Sequence, residues 1–426
     1  MSVEPAVRRP RILFVNRYYR PDQSATSQLL TDLAEAMAAR GHDVHVLCSR
    51  QLYGEAASKL PPRELLGGVQ VHRLAATRFG RGRLAGRALD YASFYAAGAL
   101  RLLRLLRAGD VAVVKTDPPL LSLVAAPIAR LRGAAFLTWQ QDVFPEAATE
   151  LGANPLPPVI DRLLRGLRDA SMRAARVNVL ISESMRAHFV ARGLPRAKLT
   201  VIDNWADAAI TPKPPAASAL RARLGLQDHF VVGYSGNLGR AHEYATLLGA
   251  AAALAPDRSF AFLMIGGGAK MRPLQEAVRA RGLGNFRFLP YQPRGELGDS
   301  LAAADVHLAI LMPALEGLIL PSKLYGILAA GRPVVFIGDR GGGVAGIVRG
   351  AHCGHVVDIG DAAGLAAVLR RMRGDAPGLA AMGAAARAAY TARYSADVAV
   401  SKWLDALDVK PARRGADART PAPSDR

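Results

Sequence analysis

The chain is poor in acid and nearly without thiol. Its 426 residues hold 35 Asp and Glu against 55 Lys and Arg, a formal net charge of +20. Cys48 and Cys353 are the only cysteines. They lie too far apart in sequence to suggest a disulfide framework or a cysteine metal site, and they point to a reducing compartment. No apolar run reaches the ~20 residues that a spanning helix needs. The opening "MSVEPAVRRP" leads straight into "RILFVN", too short for the apolar core of a signal peptide. The expectation is a cytoplasmic protein, soluble or peripheral on a membrane. Aromatic residues make up 6%, and none interleaves with a basic platform, which argues against a nucleic-acid partner. No Asp-x-Asp pair is present, so metal-independent chemistry is expected. The basic excess leaves acidic headgroups or a phosphorylated substrate as anionic partners, and a solvated arginine-rich surface has the same composition.

What the sequence does have is α/β alternation. Ile12 to Val15 reads as a buried strand, "YYRPDQSATSQ" as a loop, and Leu29, Leu30, Leu33 and Met37 as one helix face ending at Gly41. Val44 to Leu47 is the next strand, and this β-loop-α-β opening favours a parallel sheet. Further strands are expected at Val111–Val114, Phe136–Trp139, Val177–Ile181 and Leu199–Ile202. "ADAAITPKPPAAS" (Ala206–Ser218) then reads as a linker. A second series follows at Phe230–Tyr234, Phe260–Ile265, Phe286–Leu289, Val306–Ile310, Val334–Ile337 and His355–Val357. The expected architecture is two doubly wound domains with a ligand cleft between them. The boundaries are 1–208, a linker at 209–220, 221–390, a C-terminal helix at 391–409 returning to the first domain, and a disordered tail at 410–426.

Three segments carry chemistry. In "VVGYSGNLGRAHEYATLL", small residues including Gly236 follow a strand and precede a helix, and Arg240 and His242 add charge to a potential anion site. In "FLMIGGGAKMRPLQEAV", Gly266, Gly267 and Gly268 follow a strand. They suit a phosphate or a nucleotide-sugar edge, and a tight turn equally well. In "EGLILPSKLYGILAAGRPVV", Glu316 and Lys323 stand in an apolar run where neither is cheap to bury unpaired. Pro321 suits the first turn of a helix over Ser322–Ala330. Lys323 then gains nothing from the helix dipole unless an anion lies beside it. Glu316 can accept hydrogen bonds from sugar hydroxyls.

With "NRYYRPDQSATSQLLTDLAEAMAARGHDVHVL", "TDPPLLS", "QDVFPE" and "AADVHLAIL", these segments resemble the retaining glycosyltransferases of family four. More narrowly, they resemble the bacterial polysaccharide and O-antigen branch with a "PSK" signature. The resemblance implies a GT-B fold, with a nucleotide-diphosphate sugar on the C-terminal domain and the acceptor on the N-terminal one. It implies catalytic roles for Glu316 at the donor sugar, Lys323 at the diphosphate and Asp142 on the acceptor side. Donor contacts are implied at Gly236, Asn237, Arg240, His242, Gly266, Gly267, Gly268, Pro321 and Ser322. "RFLPYQPRGEL", with Pro290 and Tyr291, would line the base. Arg17, Ser24, Thr26 and Ser27 would face the acceptor and the donor phosphates. The sequence departs from the pattern at Gly326, where a second Glu for the ribose is usual. It departs again at Asn237 and His242, which replace an Arg and Lys pair.

The implied activity is metal-independent hexosyl or N-acetylhexosaminyl transfer, with retention and without a cofactor beyond the sugar nucleotide. The acceptor would be an oligosaccharide or a polyprenyl-diphosphate-linked saccharide. Arg78–Asp110 and Arg162–Val177 mix arginines with apolar residues, as helices on an anionic membrane surface do and as ordinary surface helices also do. A nucleotide-sugar epimerase of the same build and a catalytically degenerate partner subunit are the alternative readings.

Overall fold

The computed structural model describes residues 10–52, 60–79, 84–154 and 156–408. The tail expected beyond residue 409 and the segment 80–83 at the start of the first basic stretch lie outside them. The N-terminal sheet contains β1 (Ile12–Val15), β2 (Val44–Ser49), β3 (Arg63–Leu66), β4 (Val69–Leu74), β5 (Val111–Lys115), β6 (Ala135–Gln140), β7 (Val177–Leu180) and β8 (Leu199–Val201). Its strand order is β3-β4-β2-β1-β5-β6-β7-β8. The C-terminal sheet contains β9 (Phe230–Asn237), β10 (Phe260–Gly267), β11 (Phe286–Leu289), β12 (Val306–Ile310), β13 (Val334–Ile337) and β14 (Gly354–Val357), in the order β11-β10-β9-β12-β13-β14. The β-branched and aromatic runs read from the sequence become these strands because helices cover both faces of each sheet. β1, β5, β12 and β13 are buried at every position.

Every pairing is parallel except that of β3 with β4. This edge hairpin is absent from the strands expected above. Its two-residue turn, Gly67-Gly68, has φ of +54° and +80°, the left-handed backbone that a tight hairpin requires.

Strand order reverses between β1 and β5 in one sheet and between β9 and β12 in the other. Crevices open at such points, beyond the carboxyl ends of the strands. The loops there are "NRYYRPDQS" after β1, "TDPP" after β5, "LGRAHE" after β9 and the Glu316 loop after β12.

The two domains share one buried apolar cluster. Val143, Met185 and Phe189 of the first meet Leu315, Leu318, Leu324 and Val344 of the second. Ile210 brings the connecting segment into the same cluster. The last described helix, Ala396–Leu407, packs on the N-terminal domain, with Trp403 4.7 Å from the Trp139 ring and 6.4 Å from Phe14. Boundaries near the site differ from expectation: β9 and β10 run on through Asn237 and Gly267, so Gly236, Gly266 and Gly267 lie in the strand ends and not after them, and the helix placed at Ser322–Ala330 spans Lys323–Ala329. Pro321 and Ser322 form the turn before it, and the Ser322 side chain makes no capping bond.

Candidate active site

Lys323 opens its helix half-buried, with its ammonium directed at the end of β9. Its Nζ donates to the Tyr234 hydroxyl, lies 3.8 Å from that ring's centroid and 3.2 Å from His242 Nε2. The Tyr234 hydroxyl in turn donates to the Asn237 carbonyl at 2.9 Å. Among the described residues no carboxylate pairs with Lys323. Loss of solvation therefore pushes its pKa down to about 7. Burial, and then the Lys323 charge, pushes His242 down to about 3. The ring is neutral, and His242 Nδ1 lies 3.3 Å from the Gly239 carbonyl. The sequence had marked Lys323 and His242. Tyr234 was read only as the apolar end of a strand.

Gly236 lies beside this cation, with φ of +130° and a Cβ position 3.6 Å from Lys323 Cε. The lysine stem is at ordinary contact distance, so it is the positive φ, rare for any side-chain-bearing residue, that favours glycine here. The triple glycine has a different cause. A Cβ on Gly266 would overlap the Gly236 carbonyl, and one on Gly268 would overlap Asn237 and the Leu238 carbonyl. The Leu238 N–H donates to Gly267 O at 2.7 Å, and the Lys270 N–H to Leu238 O at 2.9 Å. These glycines let the β9 and β10 loops lie against each other, so the backbone itself accounts for two of them. Tyr291 is 60% exposed beside Gly267. Pro290 and Arg240 are exposed at the same end of the sheet, and so is Ser322.

Glu316 is held by the next helix. Its Oε1 accepts from the Gly343 N–H at 2.8 Å, at the start of Gly343–Gly350. Its Oε2 is buried without a protein partner, leaving an acceptor for a donor such as a sugar hydroxyl. A side chain at Gly342 would overlap this carboxylate. Gly317 follows with φ of +74°, and its Cβ position is 3.1 Å from the Ser184 carbonyl of the opposite domain.

The N-terminal domain meets this loop directly. The Val143 N–H donates to Leu318 O at 2.8 Å, across the domain boundary. Asp142, one residue earlier, is exposed at the rim of a small recess whose other lining residues, among them Lys115, Thr116, Gln140, Phe144 and Arg168, crowd water away from its carboxyl on the inner side. Desolvation, then the nearby Asp117, pushes its pKa up to about 6 against the pull of Lys115. Lys115 is buried, with its pKa lowered by desolvation. Its Nζ donates to the Thr26 carbonyl at 2.9 Å and lies 3.6 Å from the Trp139 centroid. Arg17 is buried, with its guanidinium 5.0 Å from the Tyr91 ring centroid. Ser24 and Ser27 are turned onto Asp22, the first at its carboxylate and the second at its carbonyl, 3.1 Å away. Ser27 is buried there, and Thr26 contributes its carbonyl to Lys115.

One functional support escaped the sequence reading. Glu146, the last residue of "QDVFPE", accepts from Arg168 Nη2 at 2.9 Å, while Arg168 Nη1 donates to the Phe144 carbonyl at 2.9 Å. Arg192 ties Asp169 into the same buried cluster at 2.9 Å. This network fixes the loop that carries Asp142. The paired residues are 22 positions apart, so no local spacing announced them.

Two doubly wound parallel-sheet domains that meet between the Lys323 and Glu316 segments of one and the Asp142 loop of the other have the GT-B architecture. Residues 25–205 match the model for the glycosyl transferase 4-like domain, and residues 229–375 match that for glycosyl transferases group 1. The chain belongs to this glycosyltransferase family. It is 28% identical over 252 residues to the Pseudomonas aeruginosa protein named glycosyltransferase WbjE. That match takes in 59% of this chain and 62% of WbjE, under two thirds of the relative's length. It is 26% identical over 343 residues to the colanic acid biosynthesis glycosyl transferase WcaI of Escherichia coli K12, covering 77% and 83% of the two. Anabaena HepE, solved with UDP and glucose, shares the fold with a TM-score of 0.71 at 18% identity, over 94% of this chain and 99% of that one. Sucrose-phosphate synthase from Thermosynechococcus elongatus does so with a TM-score of 0.73 at 17% identity, over 94% and 98%.

Proposed function

We propose that this enzyme moves a sugar from a nucleoside-diphosphate sugar to a hydroxyl of a lipid-linked or oligosaccharide acceptor in cell-surface polysaccharide synthesis, with retention at the anomeric carbon. The observation that carries it is the Val143–Leu318 bond. It puts Asp142 and Glu316, each within two residues of that bond, at one cleft between the domains. The matched families and both relatives are described as glycosyl transferases, which supports transfer over epimerisation. HepE is solved with UDP-glucose, which supports a sugar nucleotide as the donor here.

In this reading the donor's anomeric C–O bond breaks and the electron pair goes to the diphosphate. Lys323, short of water and free of carboxylates, meets that developing charge electrostatically. The acceptor oxygen bonds the anomeric carbon, and its proton passes to the departing phosphate oxygen on the same face. Glu316 accepts from a donor hydroxyl through Oε2, and Asp142 accepts from a second, non-reacting hydroxyl of the acceptor, which orients it. Among the described residues no group of three His, Cys, Asp or Glu is placed to hold a metal. None of their helices is long and apolar enough to cross a membrane. A peripheral seat on an anionic membrane is part of the proposal, carried by the exposed face of the helix Pro158–Ala174.

The test is a screen of nucleotide sugars against a polyprenyl-diphosphate-linked saccharide, read by mass shift. One donor should add a single sugar. Lys323→Ala should lower kcat/KM by roughly 10²–10³-fold, as loss of a transition-state charge partner does. Unchanged kinetics would remove Lys323 from the reaction, and no product or binding with any donor would sink the reading.

A further inference from the structure

We infer that the Lys323–His242 pair is a proton-loading site: binding of the donor diphosphate draws protons onto the pair. The inference rests on the donor reading above and deepens it. Lys323 Nζ and His242 Nε2 are 3.2 Å apart. Two full cations at that separation repel, so the empty pair is an ammonium donating to a neutral imidazole. His242 Nδ1 sits against the Gly239 backbone, 3.1 Å from its N–H and 3.3 Å from its carbonyl, so it can accept from the first or, once protonated, donate to the second.

The groups facing this ring are few. Lys323 approaches from its helix, and Tyr234 from β9 with ring centroids 6.1 Å apart, edge to face. On its own segment, Arg240 points outward, and the Glu243 carboxylate is taken by the backbone of Ala245 and Thr246. Among the described residues no carboxylate neutralises the pair; burial keeps protonation of both groups low, and the Lys323 charge adds to it at the ring. A diphosphate diester brings two negative charges and reverses that balance. Imidazole becomes imidazolium, and the fraction of Lys323 that is neutral near pH 7 becomes ammonium. His242 thus supplies on demand the second cation that a permanent Arg and Lys pair would supply always.

The sign follows from linkage. Both groups have higher pKa values in the bound state. Donor affinity is therefore greatest at low pH and falls as pH rises through the range between free and bound values, by up to roughly tenfold per pH unit for each proton. UDP-, GDP- and dTDP-sugars serve as probes, because their diphosphate diesters do not titrate near neutrality.

The experiment is calorimetric binding of each probe to the full chain between pH 6.5 and 8.5, in pairs of buffers with different ionisation enthalpies. The expected result is net proton uptake by the protein, on the order of one per donor near pH 7.5. His242→Gln keeps an acceptor for Lys323 and should lose the imidazole share of the uptake. Lys323→Arg should retain the imidazole share alone. Donor binding with no buffer dependence overturns the inference and leaves the transferase reading standing. Uptake unchanged in His242→Gln also overturns it. Failure of every probe to bind overturns the transferase reading itself, and the inference with it.

Discussion

Gly326 sits in the middle of the helix Lys323–Ala329 with helical backbone and nothing forcing it to be glycine. An added Cβ would meet only Leu301 Cδ1 at 3.6 Å and Ile210 Cδ1 at 4.0 Å, ordinary van der Waals contacts. Glycine there costs backbone entropy without a steric return. Gly326→Ala should therefore stabilise the protein by about 0.5–1 kcal/mol, measured as a raised urea midpoint at unchanged slope. A loss of stability would mean that the helix cannot accept the extra contact. The same residue shows what sequence reading reached. It identified Gly326 as the departure from the family pattern. It could not say whether the glycine was demanded by packing, because Leu301 and Ile210 come from elsewhere in the chain. Tyr234 shows the converse. Its ring is core, as its strand context says, and only the fold reveals that its hydroxyl meets Lys323.

At the scale of elements, the helix Pro158–Ala174 combines two faces that its sequence blends. The arginines were read together as a basic surface, yet Arg168 and Asp169 are buried while Arg162 and Arg173 are exposed. The buried pair holds the acceptor loop through Glu146 and the Phe144 carbonyl. Burial alone would raise the Glu146 pKa, but His188 and Arg168 more than reverse this and bring it to about 2. The folded value lies below the unfolded one. The stabilisation is thus complete above the usual carboxylate pKa of about 4.3 and is lost as pH falls toward 2. Arg168→Ala would leave Glu146 and Asp169 short of a partner and should cost about 3–5 kcal/mol at pH 7. The cost should shrink as pH drops below about 4, where the orphaned carboxylates protonate. A pH-independent loss, measured by denaturant unfolding, would assign the effect to packing instead. The strand and helix alternation was legible because apolar runs and glycine stops are local signals. The β3–β4 hairpin was not read, since "RELL" alternates weakly, although "GG" marked its turn.

At the scale of the whole molecule, the +20 charge has a place to act. Val159, Ile160, Leu163 and Leu167 are 76, 42, 58 and 42% exposed along one side of Pro158–Ala174. The helix Leu121–Leu131 packs beside it and adds exposed Leu131, and Leu84–Leu105 follows with Leu89, Leu100 and Leu103. Arg104, Arg107, Arg130, Arg132, Arg162 and Arg173 are exposed on or just beyond these helices. Apolar side chains rimmed by cations match an anionic interface, where the chains enter the headgroup boundary and the arginines meet phosphates. The same helices border the recess of Asp142 through Leu121, Ser122 and Arg168, so a protein seated on this face would hold that recess near the bilayer. The expected outcome is co-sedimentation with phosphatidylglycerol vesicles, weak binding to phosphatidylcholine vesicles, and release by salt within the screening range of the headgroup charge. Leu163→Glu with Leu167→Glu should lower partitioning by about tenfold or more while leaving the circular dichroism spectrum unchanged, because both side chains face solvent in the folded chain. Equal binding to neutral vesicles, or full binding by the double variant, would show that this face is an ordinary solvated surface and that the positive charge serves the soluble substrate alone.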